Sequence, residues 1–489
     1  MHCILSKFKE PLRIRSLQSE SPKASEETPN KNAESAMPES PRIINSSSAD
    51  SPVEALPSEI CRLILCALAL EDLFVLIRAS PIYLQQYLLD PEYIRRHCLF
   101  QTWHICTPDA VYAHLTSDRE FLQSRNDRQP ESVQTMIDAY IRDRSMDASS
   151  GFTLLGRLRN TQVDDMVRFH LSIVKPLIRI YVEWALRNLA LEIQGEWIPV
   201  TEAECILSST ETLRTIRAMY RYQLMCNLFG SGPYSKSHRS WYIISGYDDL
   251  VQAFLMNFTA FELEEVHCIF DFAVNRYDKV FQAVAADLHP DNSRFDNQHR
   301  PPTPDEAYDF LSRAATTTSR HRTEYQIGTA SRGLYLLYTV LIKTPYNTND
   351  PSQHENLVRA IQPQIASGSF LDTMNGGLGD TPQHERRFKQ PSSRDEKEKS
   401  QVPMPFVGDH SIWQVQDADN DPPPPLAWTL IWGGTYSNLY GYFIPDALAR
   451  WGYVFWDAER LERSGGKELL MRQWEAEWSG LDPREENPF

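Results

Sequence analysis

The chain has 489 residues, of which 42% are hydrophobic and 11% aromatic, enough for about two to four domains with a large core. Its formal net charge of -16 argues against a nucleic-acid binder or a binder of anionic membranes, because both partners require a basic face. No run approaches the roughly 18 apolar residues of a membrane-spanning helix, and no signal-peptide core follows the N-terminus. The composition predicts a soluble cytoplasmic or nuclear protein.

The first predicted segment, residues 1–52, is a disordered leader. Most of it consists of Ser, Pro, Glu, Lys and Asn, so it has too few apolar side chains to offset the entropy of ordering. Its Ser-Pro pairs are candidate phosphorylation sites. The mildly basic start allows a mitochondrial presequence, but Glu10 and Pro11 argue against it.

Residues 53–100 are predicted to form a module of three short helices. The first helix starts at a proline followed by Ser58, a hydroxyl residue that can cap a helix. Along this helix Ile60, Ile64 and Leu68 recur every four residues. Two acidic residues mark the start of the second helix, and a Ser-Pro pair starts the third. A unit of about 45 residues is too small to bury all these side chains by itself. Part of its apolar surface must therefore contact something else.

The order of residues in this module resembles an F-box, the helical unit by which many eukaryotic proteins bind the linker subunit of a cullin-RING ubiquitin ligase. The matching positions are Leu56, Pro57, Glu59, Ile60, Ile64, Leu65, Leu68, Asp72, Leu73, Leu76 and Ser80. Residues 90–94 are similar to the family's aspartate-proline-x-leucine-tryptophan ending, with Tyr93-Ile94 in place of the last pair. The resemblance implies that the linker contacts Leu56, Pro57, Ile60, Ile64, Leu65, Leu68, Leu73 and Leu76.

Two further runs, 76–81 and 441–461, resemble uncharacterised filamentous-fungal proteins with F-box-like N-termini, a likeness that implies no mechanism. The alternative for the module is that its helices are the first hairpin of the core, since such leucine spacing occurs in any α-helical protein. The chain would then be a self-contained structural or interaction protein. Exposure of the Ile60, Ile64 and Leu68 face favours docking, whereas its burial against residues 160–290 favours the core.

Residues 101–375 are predicted to form a large helical body. Helical periodicity runs through 133–144, 163–193, 248–287, 334–342 and 357–365. Pro176 predicts a kink or break in the second of these, and Thr303–Glu306 predicts another helix start. A capping box at Thr201–Glu204 predicts a helix that ends near Gly230, followed by a turn-rich stretch to residue 246. The predicted fold class is mainly α and multi-helical, with the three-helix module packed on or linked to the body.

Residues 376–425 are charged and rich in glycine and proline, which predicts a long mobile linker or insertion. Residues 426–489 then form a helical segment with the densest aromatic cluster in the chain. Its main members are Trp428, Trp432, Tyr440, Trp451 and Trp456. Exposed rings would favour aggregation, so this segment is predicted to pack on the body. The alternative is an aromatic pocket for a ligand or a protein target.

The sequence contains no phosphate loop, dinucleotide fingerprint, metalloprotease motif, nucleophile elbow or kinase signature, so no enzyme is predicted. His97, Cys98, His104 and Cys106 lie within ten residues, but their spacing fits no familiar zinc site, and no metal or cofactor is predicted. The eight cysteines show no disulfide spacing and are interpreted as reduced thiols.

Two other groups of polar residues receive structural interpretations. The tripeptide His289-Pro290-Asp291 also occurs in J-domain cochaperones, but a helix end followed by proline explains it equally well. Glu262, Glu264 and Glu265 are interpreted as a solvated helix face. The sequence as a whole therefore predicts an adaptor that binds a ligase linker and an unidentified protein target.

Overall fold

The computed structural model describes residues 51–123, 130–145, 150–196, 199–230, 247–288, 319–347, 349–366, 393–409 and 422–485. Within these ranges the chain is helical and has no strand, only a single antiparallel bridge between Pro403 and Thr435. The predicted mainly α, multi-helical fold class is confirmed. Almost all of the predicted leader, the turn-rich stretch 231–246, the tripeptide at 289–291 and the helix start at 303–306 lie outside the described residues.

The helices of the first half follow closely on one another. They are α1 (Ser58–Ala67), α2 (Leu70–Ala79), α3 (Pro81–Leu89), α4 (Pro91–Trp103), α5 (Thr107–Leu115), α6 (Arg119–Gln123), α7 (Pro130–Arg144), α8 (Ser150–Gly156), α9 (Asn160–Phe169), α10 (Lys175–Gln194) and α11 (Ser209–Phe229). A 3-10 turn, His104–Cys106, connects α4 to α5, and a π-helical turn, His170–Val174, connects α9 to α10.

The second half contains one long helix, α13, and several shorter ones. They are α12 (Tyr247–Leu255), α13 (Ala260–Leu288), α14 (Ser319–Ala330), α15 (Leu334–Tyr338), α16 (Pro351–Ile361), α17 (Ser393–Lys399), α18 (Leu426–Ile431), α19 (Asp446–Arg450), α20 (Ala458–Ser464) and α21 (Gly466–Trp478). A π-helical turn, Thr339–Lys343, extends α15, and 3-10 turns occur at Gln362–Gln364, Gly441–Phe443 and Tyr453–Phe455. None of the described helices is long and apolar enough to cross a bilayer.

The helix predicted over 163–193 is present, and its irregularity takes a specific form. Pro176 is the second residue of α10, directly after the π-helical turn. Proline has no N–H to donate and its ring crowds the preceding turn, and the wider π turn accommodates both effects. The chain therefore stays helical from Asn160 to Gln194 instead of breaking at the proline.

The start of α11 differs from the prediction. Thr201 and Glu204 do make capping-box contacts, with the Glu204 carboxylate accepting from the Thr201 N–H at 2.7 Å, but they close only a turn. The helix begins at Ser209, after a second capping box formed by Ser208 and Glu211. The carbonyls of residues 204 and 206 accept hydrogen bonds from Arg460, so they do not continue a helix. The predicted end near Gly230 is correct.

Helix α11 lies at the centre of the body. Every residue from 213 to 229 is buried. Helices α5 and α13 pack along most of its length, and α4, α10 and the 3-10 turn at 453–455 also contact it. Helix α11 carries arginines on this buried surface, so its polar groups need partners from the surrounding elements.

Buried carboxylates on two neighbouring helices supply those partners. Arg221 donates to Glu262 of α13 at 2.7 Å and to Asp109 of α5 at 3.1 Å. Arg217 makes a two-point contact with Glu265, in which its Nε–H donates at 2.8 Å. All five side chains are no more than 4% exposed. Helix α11 is therefore held to α5 and α13 by ion pairs inside the core.

The prediction that Glu262, Glu264 and Glu265 form a solvated helix face is wrong, because all three are buried. Glu262 and Glu265 point towards α11, whereas Glu264 accepts a hydrogen bond from the Gly441 N–H and faces the hydroxyl of Tyr453 at 3.4 Å. Successive helical residues are rotated by about 100°, so these positions cannot share one face. They connect α13 to elements on different sides.

The described part of the predicted linker is folded against the body. Arg394 of α17 donates to the carbonyl of Phe258 at 2.8 Å, and Asp395 accepts from Asn438 at 2.7 Å. The Val402 carbonyl accepts from the N–H of Tyr436 at 3.0 Å. Of residues 376–425, the ranges 393–409 and 422–425 are described, and within them this helix and the segment that follows it contact the body.

Replacing a buried arginine of α11 should strongly destabilise the protein. Arg221→Met leaves Asp109 and Glu262 buried without their main counter-charge, so we expect the free energy of unfolding to fall by about 3–5 kcal/mol. Denaturant unfolding of purified protein measures this. The control is Arg179→Met, since Arg179 is 77% exposed and 3.7 Å from Glu202, and it should cost under about 1 kcal/mol. Equal losses in both variants would contradict the role of the network.

Candidate docking surface

The N-terminal module contains the three predicted helices, α1 to α3, and a fourth, α4. The Ser80 hydroxyl accepts from the Tyr83 N–H at 3.4 Å and Pro81 is the first helical residue, as predicted. Asp90 and Pro91 repeat the arrangement at the start of α4. Ser58, in contrast, does not cap α1, because its hydroxyl donates to Gln86 at 2.6 Å instead.

The residues implied by the F-box resemblance do not all lie at the surface. Leu65 and Leu73 are 0% exposed and belong to the core, so they cannot contact a partner while the module is folded. Pro57 and Ile60 are exposed, whereas the remaining four are half-buried. These four are Leu56, Ile64, Leu68 and Leu76. Of the repeat of Ile60, Ile64 and Leu68, the first residue is exposed and the other two are half-buried. This lies between full exposure, which favours docking, and full burial, which favours the core.

Exposed apolar side chains occur instead on α1, at Val75 of α2 and at the junction of α3 and α4. We define the docking surface as Ile60, Leu63, Leu88, Leu89 and Tyr93, all exposed. Leu63 is 64% exposed and Leu89 is 75% exposed. The sequence pattern did not single out Leu63, Leu88 or Leu89, because they lie outside the F-box positions. The only sign of their exposure in the sequence was that this segment has more leucines than one buried helix face requires.

Polar contacts place α1 beside the junction of α3 and α4. Arg62 donates to Asp90 at 2.8 Å, and its guanidinium carbon lies 4.5 Å from the centroid of the Tyr93 ring. Ser58 and Gln86 make a second contact between α1 and α3. Arg62 and Asp90 are thus next in sequence to Leu63 and Leu89, two of the exposed apolar residues. Such a mixture of apolar anchors and polar groups is typical of protein interfaces.

Other residues of the module attach it to the body. Arg96 donates to the carbonyls of Leu155 and Leu158 and to the side chain of Asn160, at 3.2, 2.9 and 2.7 Å. Arg95 forms an ion pair with Asp164 at 2.9 Å. Helix α4 thus contacts α8 and α9. The module is fixed to the body on this side, and the docking surface lies on residues that make none of these contacts.

A partly buried chain of polar groups forms a second attachment. His170, in the π-helical turn, accepts at Nδ1 from the indole N–H of Trp103 at 3.3 Å, so its Nε2 carries the proton that faces Glu71 at 3.6 Å. The Nζ of Lys175 is 3.2 Å from the same carboxylate. Burial opposes ionisation of Glu71, but the contacts with His170 and Lys175 outweigh it and lower the pKa of this carboxyl to about 2.

Five aromatic residues of the C-terminal segment are in the core, whereas Tyr442 is 78% exposed. The five are Trp428, Trp432, Tyr440, Trp451 and Trp456, each no more than 2% exposed. The rings of Trp432 and Trp474 are 5.1 Å apart between centroids, and the indole N–H of Trp456 donates to the carbonyl of Trp451 at 2.8 Å. Rings buried in this way pack the segment on the body and are not available to a target at the surface.

The four residues considered for zinc make separate contacts. Cys98 and Cys106 are buried, and burial raises the pKa of the Cys98 thiol to about 12. The His97 ring lies against Tyr93, with centroids 4.0 Å apart, and the His104 ring lies against Phe100. Across the described ranges, no group of three or more His, Cys, Asp or Glu residues could hold a metal ion.

Comparison with known proteins identifies no family for this chain, because no family model, no curated protein and no solved structure matches it.

The contact of Glu71 with His170 and Lys175 predicts a specific pH dependence. A lowered pKa in the folded protein adds stability above the unfolded value near 4.5 and loses it as the pH falls towards 2. Glu71→Gln should lower the free energy of unfolding by about 2–3 kcal/mol at neutral pH, and the difference from wild type should vanish between about pH 4.5 and 2.

Denaturant unfolding across this pH range measures the difference. Glu459→Gln is the control, because Glu459 is 89% exposed and 3.8 Å from Arg463, and it should change stability by less than about 0.5 kcal/mol. A Glu71→Gln difference that stays constant with pH would contradict an ionised, paired carboxylate.

Proposed function

We propose that this protein is an adaptor that binds the linker subunit of a cullin-RING ubiquitin ligase through its N-terminal module and holds a protein target on its helical body. One observation carries the proposal. The segment whose residue order resembles an F-box is also a segment with a concentration of exposed apolar side chains, those of the docking surface. Scattered exposed apolar residues are common on any protein, but five within about 35 residues favour an interaction site.

The spacing of these residues suits a helix-in-groove interaction. Ile60 and Leu63 are three residues apart on α1, whereas Leu89 ends α3 and Tyr93 lies on α4. Residues three or four apart lie on the same side of a helix and are the usual anchors of such complexes. Burying one exposed leucine contributes up to about 1.5–3 kcal/mol, so a few anchors supply useful affinity.

In this proposal the buried residues of the F-box pattern have a structural role and do not contact the linker. Leu65 and Leu73 hold α1 and α2 in the core, and the linker would contact Pro57, Ile60 and their exposed neighbours. Attachment through Arg96 and Glu71 would keep the module in one orientation relative to a target on the body. The competing function is a self-contained structural or interaction protein. The extensive contacts between module and body favour it, because they also fit a module that is simply part of the core.

Co-purification with the linker subunit tests the proposal. The wild type should capture the linker, and Leu63→Glu combined with Leu89→Glu should reduce capture at least about tenfold, because charges would enter an apolar groove. The matched control combines Leu191→Glu with Ile206→Glu, which replaces exposed apolar residues outside the module and should leave capture unchanged. Circular dichroism and thermal melting verify that all variants fold.

Leu56→Ala combined with Pro57→Ala should also abolish capture, since both positions belong to the F-box pattern. Failure of the folded wild type to capture the linker would overturn the adaptor proposal and favour the self-contained protein.

A further inference from the structure

The helical body contains a large cavity and a smaller one that differ in chemical character. The larger cavity has a volume of about 1300 Å³ and is lined mainly by α5, α9, α11, α15 and α16. The smaller cavity has a volume of about 370 Å³, near the lower limit of small-molecule sites. None of the residues that line the smaller cavity belongs to the docking surface. Its size suits a ligand of few atoms.

The smaller cavity lies where α10, α13 and α19 meet. Its lining includes Trp184 and Asn188 of α10, Asp271, Val274 and Asp278 of α13, and Arg450 at the end of α19. The residues on α10 and those on α13 are spaced by three or four positions, so each helix presents one side to the cavity. The Asn188 side chain donates to the backbone carbonyl of Arg450 at 2.8 Å. This contact fixes the end of α19 beside α10.

The first charged group of this cavity is Asp271, which is half-buried. Its carboxylate makes no hydrogen bond or ion pair with any residue that the structure describes. Burial raises the pKa of Asp271, and the opposing effects of His267 and Arg450 are smaller. Taking a carboxylate out of water without a partner is costly, so a cation that bound here would be stabilised.

The second charged group is Arg450, which borders the same space but does not pair with Asp271. Within the described ranges, no carboxylate oxygen lies within 4.0 Å of a guanidinium nitrogen of Arg450. Arg450 is nevertheless close enough to Asp271 to lower the pKa of that carboxyl. Because both residues line a space of only about 370 Å³, one small ligand can contact both.

The other lining groups are already engaged or apolar. Asp278 accepts from Gln326 at 2.6 Å and from Gln282 at 2.7 Å, so its carboxylate has partners within the protein. Trp184 is 8% exposed, and its ring lies 5.2 Å from that of Phe272 between centroids, so packing holds the indole in place. The cavity thus combines an acid, a base and a fixed aromatic side chain.

We propose that this cavity binds a free α-amino acid with an apolar side chain, whose ammonium group contacts Asp271, whose carboxylate contacts Arg450 and whose side chain packs on Trp184. An amine alone would leave Arg450 without a partner, and a carboxylate alone would leave Asp271 without one. An α-amino acid carries both charges on one carbon and satisfies both residues through charged hydrogen bonds. The proposal goes beyond linker binding, because it concerns a different surface of the chain.

Equilibrium dialysis of the full chain with radiolabelled L-leucine tests the proposal. Two competitors share the branched side chain of leucine but lack one charged group each. The first, 3-methylbutylamine, has no carboxylate, and the second, 4-methylpentanoate, has no ammonium group. Because a hydrogen bond between charged groups contributes about tenfold or more in affinity, leucine should bind at least about tenfold more tightly than either competitor.

Substitutions at the two charged residues should remove different preferences. Asp271→Asn should weaken leucine binding at least about tenfold without weakening 4-methylpentanoate, whereas Arg450→Gln should weaken leucine by a similar factor without weakening 3-methylbutylamine. The matched control combines Glu459→Gln with Arg463→Gln, an exposed acid and base outside the cavity, and should keep both preferences.

Three results would each overturn the proposal. They are no saturable binding of leucine up to about 10 mM, equal binding of leucine and either competitor, and unchanged leucine binding in the Asp271→Asn or the Arg450→Gln variant. Where a variant does not fold, competition by the two analogues against the wild type decides. The Leu63→Glu and Leu89→Glu variant should bind leucine like the wild type, so loss of linker capture and loss of leucine binding are separate results.

Discussion

The buried arginines of α11 are the constraint on which the rest of the structure depends. Arg214, Arg217 and Arg221 lie three and four residues apart and so share one side of the helix. Each charge costs several kcal/mol to remove from water, and only partners at the correct distance and angle offset that cost. For Glu262, burial opposes the charge, but the nearby Arg221, Arg144 and Arg217 outweigh it and hold its pKa well below the usual range. The elements that carry these carboxylates therefore have little freedom to move.

The arginine row also explains why distant parts of the chain form one body. Arg214 donates to Asp457 at 2.8 Å and to Asp409 at 3.2 Å, and Arg460 pairs with Glu211 at 2.7 Å, so the C-terminal aromatic segment is tied to α11. On its other sides α11 contacts the module through Tyr220, whose ring centroid is 5.5 Å from that of Trp103, and lines the larger cavity. Core, module attachment and cavity thus share one helix.

Sequence reasoning worked where the signal was local. Apolar periodicity located α7, α10 and α13, and the Ser-Pro pair correctly started α3. It did not work where the outcome depended on a distant partner. The capping box at residue 201 closed only a turn, because Arg460, far along the chain, donates hydrogen bonds to the carbonyls that follow it. Likewise, periodicity placed Leu65 and Leu63 on a helix, but only the packing of α3 and α4 decided which was buried. Glu264 is different, because the sequence alone could have corrected its prediction. Its rotation around the helix relative to Glu262 and Glu265 shows that the three cannot share one solvated face.

Hydrogen–deuterium exchange of the full chain, with and without the linker subunit, tests the central claim most directly, namely that one side of the module is anchored and the other is open for docking. The account predicts added protection of residues 58–67 and 88–93 when the linker is present, with exchange in α11 already slow and unchanged. Protection confined to residues 426–485, or none in the module, would contradict it.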